Sequence, residues 1–362
     1  MIKGNRLCKP PQRATLMLMG EWVKRHLLNL ALGACVAAAL PAPPVEAAAS
    51  AVIIMYHRFG EDSLPSTNIG IDQFEAQIEE LVTGGYSVLP LPDIIAALRT
   101  GAPLPDKTIG ITVDDAYSTV YEQAWPRLEA AGLPFTLFVS TDPVDAGVHG
   151  IMSWDQIREL ADAGVTIGHH SAGHAHMAGR DRAVNAADIT KASERFRSEL
   201  GRNPELFAYP YGEYSLDLQD LIADQGFIAA FGQQSGVAHD AENIFVLPRF
   251  ALNVSYGDID RFKMITRTLA LPVSDVTPME SLLGPNPPLI GFTVAEGLTR
   301  LDRLNCFASG QGAADIERLG ERRIEVRLKA PFPPGRSRIN CTMPGREGRF
   351  HWFGMQFITP QP

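Results

Sequence analysis

Between Val52 and Leu247 the chain repeats one pattern, a short apolar run rich in β-branched residues followed by a longer stretch with apolar positions at helical spacing. The runs Val52–Tyr56, Thr108–Val113, Phe135–Val139, Val165–Gly168, Leu206–Tyr209, Phe227–Phe231 and Phe245–Leu247 have the length and composition of buried strands. Phe74, Ile78, Leu81 and Val82 mark a helix over Ile71–Thr83. Further helices are expected over Leu91–Arg99, Ser153–Ala163, Val184–Leu200 and Ser215–Gln225. Strands separated by helices lie parallel, because each helix carries the chain back to the edge it started from. The pattern therefore predicts an α/β fold, a closed or nearly closed (β/α) barrel over residues 50–267. In such a barrel the chemistry sits at the C-terminal ends of the strands.

The two ends of the chain read differently. Lys24-Arg25-His26, the apolar run Leu27–Leu40 and the small residues Val45–Ser50 follow the order of a secretory signal, so residues 1–49 are expected to direct export. The stretch ahead of Lys24 is long for a signal, which leaves Met17 and Met19 as alternative starts. Leu32-Gly33-Ala34-Cys35 resembles a lipoprotein cleavage box, the less favoured mode of export. The mature chain is expected in the periplasm or secreted, and it has no second apolar run long enough to span a membrane. Pro272, Pro278, Pro285, Pro287 and Pro288 mark a linker over residues 268–295. Residues 296–362 read as a small all-β, sandwich-like domain, in which Arg323–Leu328 alternates polar and apolar and only Ala313–Leu319 suggests a helix.

Export would remove Cys8 and Cys35 and leave Cys306 and Cys341 as a disulfide pair in an oxidising compartment. The net charge of -9 argues against a nucleic-acid partner. That charge is unevenly spread: residues 50–295 hold 15 basic and 32 acidic side chains, residues 296–362 hold 11 and 7. The two parts carry opposite net charge, which favours their docking on one another.

The unusual polar residues follow the apolar runs. Thr112-Val113-Asp114-Asp115 places two carboxylates where a strand ends, a pair that by itself also fits the N-cap of a helix starting near Ser118. Four of the nine histidines, His169, His170, His174 and His176, fall within eight residues straight after another strand. His170 and His174 can meet one cation if a helical turn follows the strand. One Asp with two His leaves a coordination position open, as catalytic metal sites do, and favours zinc.

Taken in order, Asp114-Asp115, His170-Ser171-x-x-His174 and Phe207-Ala208-Tyr209-Pro210-Tyr211-Gly212 resemble the motifs of the NodB-like polysaccharide deacetylases, carbohydrate esterase family 4. Met152–Asp155, leading into Gly164–Gly168, is similar to the segment that precedes the histidine motif there. Tyr56-His57 on the first strand resembles the exported poly-N-acetylglucosamine branch. The resemblance covers residues 50 to 265. It implies that Asp115, His170 and His174 bind a divalent metal, zinc first, with cobalt or nickel accepted. It also implies Asp114 as general base, His57 as general acid and the Tyr211 backbone N–H as an oxyanion donor. Trp154 and Tyr211 would line a sugar groove.

Where the family often carries an arginine in the third motif this chain has Ala208, and Arg249 is the candidate to orient Asp114 instead. Val113 and Ala116 stand where Phe and Gly are common, and Ala116 suffers if the backbone needs positive φ. His169 and His176 have no role in the scheme, and either could replace a ligand. The implied activity is metal-dependent removal of N-acetyl groups from an N-acetylhexosamine polymer outside the cytoplasm, in company with polysaccharide export machinery. A peptidoglycan or chitooligosaccharide deacetylase is the nearest alternative. A non-catalytic carbohydrate-binding component of export is the alternative from another class.

Overall fold

The computed structural model describes residues 49–360, so the expected export signal, with Cys8 and Cys35, lies outside the described residues. Ser50–Tyr56 (β1), Thr108–Asp114 (β2), Thr136–Val139 (β3), Thr166–His169 (β4), Leu206–Ala208 (β5) and Ala229–Phe231 (β6) pair in that order as parallel neighbours in a nine-stranded sheet. A short strand, Phe250–Ala251 (β7), lies parallel to β1 on its other side. Leu247, just before it, bridges to Phe231 of β6. One segment thus touches both edges, and the sheet curls into a distorted barrel. The expected strand over Phe245–Leu247 shrinks to this bridge, because Pro248 interrupts it before β7.

Register sets the level of the strand ends. Tyr56 pairs with Val113, Asp114 with Phe138, Val139 with His169, and Ala208 with Phe231. The residues that leave these strands, His57, Asp115, His170 and Tyr209, therefore emerge at one rim. Side chains alternate across each strand. Ile54, Ile111, Val113, Leu137 and Val139 pack under the helices, while Ile53, Phe138, Ala208 and Phe231 fill the curl. Phe138 and Phe231, on strands that are not neighbours, meet across the curl at 5.6 Å. The helix Ile71–Thr83 forms as its spacing predicts and buries Phe74 and Leu81. Ser153 caps the helix Trp154–Asp162, accepting from the Gln156 N–H.

Beyond residue 268 the chain forms two packed sheets of five and four strands. Residues 268–295 are not a linker. They supply Leu269–Ala270 to the larger sheet and Val273–Thr277 and Ile290–Val294 to the smaller one. The prolines at 278, 285, 287 and 288 sit in the connection between those last two strands, where no ladder hydrogen bond is lost. The helix suggested over Ala313–Leu319 is the strand Asp315–Leu319, paired with Arg323–Arg327. Phe292, Ile324 and Val326 of one sheet face Ile339, Met355 and Phe357 of the other, with the Cys306–Cys341 disulfide joining neighbouring strands in this core.

The β-domain docks on the barrel closely. Trp352 packs edge-on against Phe250 of β7, and Arg349 donates to both oxygens of Asp106 at 2.8 and 2.9 Å. A Cβ on Gly354 would stand 2.0 Å from the Ser235 carbonyl oxygen, so only glycine allows that approach. Among the described residues no helix is long and apolar enough to cross a membrane.

Candidate metal centre

Alternation along β2 turns Thr112 and Asp114 into the curl. Asp114 is fully buried there, and so is Arg249, which precedes β7. The guanidinium donates to both Asp114 oxygens at 2.7 and 2.8 Å, to the Thr112 hydroxyl at 3.2 Å and to the Gly232 carbonyl at 3.0 Å. Phe138 and Phe231 flank it. Burial alone would raise the Asp114 pKa, but the Arg249 charge and the neighbouring histidines bring it below the usual carboxylate value. Asp114 is thus held as an aimed carboxylate in a dry site.

After Asp114 the backbone turns through two residues at positive φ, Asp115 (78°) and Ala116 (54°). This swings the next carboxylate back over the rim, and it is the conformation that Ala116 adopts at a cost a glycine would avoid. Asp115 Oδ1 lies 3.4 Å from His170 Nε2 and 3.1 Å from His174 Nε2. Together the three side chains offer ligand atoms within 4.8 Å of one another. The donor set fits a divalent cation. His170 Nδ1 donates to the Ala208 carbonyl at 2.7 Å, which leaves the Nε2 lone pair facing the site. The His174 N–H donates to the Ser171 hydroxyl, so a local turn, not a full helix, brings the second imidazole round. Three protein ligands leave room for a water or substrate oxygen.

His169 points the other way. It is fully buried among Phe196, Phe207 and Phe227, its Nδ1 accepts from the Ser171 N–H at 3.1 Å, and burial pushes its pKa down to about 3. It is a core residue, not a spare ligand. Trp154 also leaves the groove scheme: it is 9% exposed, packs edge-on against Phe196 and donates its indole N–H to Asp145 at 2.7 Å. Amphipathic spacing with Ile157 and Leu160 puts this face of the helix into the core.

His57 follows β1 at the rim and is half-buried. Burial lowers its pKa, while the Asp115 and Asp114 carboxylates pull it up and Arg249 opposes them, so it lies within reach of all three charges. Tyr211 stands on the far side at φ 58°, its ring edge against His174 at 4.5 Å and stacked on His176 at 4.0 Å. His176 is not among the ligand atoms; its Nδ1 meets Glu213 at 2.7 Å.

Sequence reasoning assigned nothing to Arg58, Tyr117, Glu213 or Arg336. Arg58 lies 3.4 Å over the Tyr117 ring, and burial together with the Asp115 carboxylate pushes that phenol up to about 12. Arg58 follows His57 directly and Tyr117 lies two residues beyond Asp115, so the signal for both is their adjacency to motif residues. Arg336 comes from the β-domain and carries no local signal. Of the eight non-glycine residues at positive φ among the described residues, five (Asp115, Ala116, Ser171, His174 and Tyr211) belong to this rim. Strain concentrated in this way is a mark of functional sites.

Comparison with known proteins points the same way. A family model described as polysaccharide deacetylase matches residues 101–230, which contain Asp114, Asp115, His170, His174 and Tyr211 but neither His57 nor Arg249. The poly-beta-1,6-N-acetyl-D-glucosamine N-deacetylase of Escherichia coli (strain K12) is 24% identical over 242 residues, 55% of this chain and 36% of that one. The chain therefore spans about a third of that relative's length. The enzyme of the same name from Staphylococcus epidermidis is 24% identical over 231 residues, covering 56% of this chain and 79% of that one. Among solved structures, IcaB from Ammonifex degensii shares the fold with a TM-score of 0.54 at 24% identity, over 61% of this chain and 97% of that one.

Proposed function

Because residues 101–230 form a polysaccharide deacetylase domain, of a family whose members hydrolyse N-acetyl amide bonds, we propose that this chain deacetylates a poly-N-acetylglucosamine-type polymer outside the cytoplasm, at a metal held by Asp115, His170 and His174. The observation that carries the reading is the pairing of that ligand set with an adjacent buried carboxylate, Asp114, locked by Arg249. Zinc suits the ligands first, and cobalt or nickel would also fit. A divalent ion there supplies Lewis-acid polarisation of the acetyl carbonyl and lowers the pKa of water.

The chain's own residues do the rest. Asp114, ionised and aimed by Arg249, takes a proton from the attacking water as its oxygen bonds to the carbonyl carbon. The Tyr211 backbone N–H, in this reading, receives the charge that builds on the carbonyl oxygen. His57 gives a proton to the departing nitrogen as the carbon–nitrogen bond breaks, yielding acetate and a free amine. Its burial-lowered pKa makes the imidazolium a stronger acid for that step. The role of the chain in polymer export, and its passage through the membrane by the N-terminal segment, belong to the same proposal.

The test is acetate release by the zinc-loaded protein from β-1,6-linked poly-N-acetylglucosamine, the polymer that names the relatives, beside chitin oligosaccharides and peptidoglycan. Release is expected on the first, and Asp114→Asn should lower it by about 10²–10⁴-fold. Release only from chitin or peptidoglycan would reassign the polymer. No release from any N-acetylated polymer would leave a binding module.

A further inference from the structure

We infer that Arg336, from the β-domain, is a positioning residue for the deacetylation reaction: it holds Tyr211 in the conformation the site uses. The inference rests on the reading of the rim as a deacetylase centre. Tyr211 and Gly212 both sit at positive φ (58° and 69°), an arrangement that a tyrosine keeps only if its surroundings impose it. The barrel supplies part of that restraint, since the Gly212 and Glu213 N–H groups donate to Tyr209 and Pro210. The β-domain supplies the remainder. Arg336 donates to the Tyr211 carbonyl at 2.8 Å and to the Gln233 side chain at 3.3 Å. Its guanidinium also lies 3.6 Å from Glu213 and 5.6 Å from the centre of the Tyr211 ring.

Gln356, from the neighbouring strand, donates to the Gly212 carbonyl at 2.7 Å. Two successive carbonyls of one turn are thus tied back by donors from another domain. With both peptide planes fixed and His176 stacked on the ring, Tyr211 cannot relax to an ordinary φ without breaking these contacts. The contacts of Arg336 are with Tyr211, Gln233 and Glu213 and not with the metal ligands, so its effect passes through Tyr211. The β-domain is then part of the catalytic apparatus, and its +4 balance of basic over acidic residues includes a cation with a specific task.

The experiment uses the full mature chain with Arg336→Met and Arg336→Lys. Kinetics on a soluble N-acetylated oligosaccharide should show kcat lowered about thirtyfold in Arg336→Met with KM within about twofold, because the loss falls on the transition state. Arg336→Lys, keeping one donor, should recover part of kcat. Hydrogen exchange provides a readout independent of activity: peptides covering residues 209–214 should exchange faster in Arg336→Met while the β-domain strands stay protected. Unchanged exchange in that segment would overturn the inference. So would wild-type kcat in Arg336→Met, or faster exchange throughout the β-domain, which would mark a plain structural prop. If the wild type releases no acetate, the deacetylase reading fails by itself, and the exchange result still decides whether Arg336 holds the turn.

Discussion

Asp114 and Arg249 are both fully buried, and each is tolerable only because of the other. Breaking such a pair leaves an uncompensated charge in a dry site, so Arg249→Met should lower stability by about 3–5 kcal/mol at neutral pH, read from urea unfolding. Adding Asp114→Asn to that variant should return part of the loss, because no unpaired carboxylate is then buried. A double variant no more stable than Arg249→Met would show that packing, not charge, dominates. The adjacent histidines divide just as sharply. His170→Ala should weaken zinc binding at least about a hundredfold by calorimetry, whereas His169→Phe should leave it near the wild-type value. Sequence could place the Asp114-Asp115 pair and the histidine cluster, since both are local and end a strand. Only side-chain parity separates His169 from His170, and parity needs the strand's register against its neighbours. Arg249 could be suspected because Ala208 leaves a charge unpaired, but its target lies 135 residues away along the chain.

At the scale of elements, the site owes its geometry to short parallel strands whose ends are level. Gly168 on β4 shows how little slack there is: a Cβ there would stand 2.3 Å from the ring of Phe138, its partner across the ladder. Gly168→Ala should therefore destabilise the protein by about 1–3 kcal/mol through overpacking. It should also weaken zinc binding, since His170 follows two residues on. Thermal unfolding and metal titration of the one variant check both, and unchanged values would mean that the ring simply rotates away. The strands and helices of the barrel were legible because period and length agree over many residues. The segment 268–295 was not, because its five prolines are the stronger local signal while its three strands are short and separated by them. Asp315–Leu319 has charges spaced as on a helix, and pairing with Arg323–Arg327 overrides that local signal.

Over the whole molecule, barrel and β-domain are joined by polar contacts whose strength depends on pH. Asp106, on the barrel side, is partly desolvated, which raises its pKa, yet bonding to Arg349 outweighs this and leaves it lowered. A carboxyl depressed in the folded state contributes stability above its unfolded pKa and loses it as pH falls through the folded value. Wild type and Asp106→Asn should thus differ in melting temperature by a constant small amount above about pH 5 and converge as pH falls through the depressed folded value. A gap that persists in acid would assign the contact to shape and not to charge. No local pattern foretells such cross-domain pairs, for they join residues more than a hundred positions apart, 243 in the case of Asp106 and Arg349.

The segment that seals the curl of the sheet is also the one that carries Arg249. Every strand that bears a metal ligand or the base precedes it in the chain. A nascent or truncated chain ending before residue 249 would lack the counter-ion that draws the Asp114 pKa down. Pairing of Asp114 with its counter-ion is therefore a late event in the synthesis of the chain. On the proposed reading, hydrolysis waits until the chain is long enough to close the curl, wherever that closing takes place.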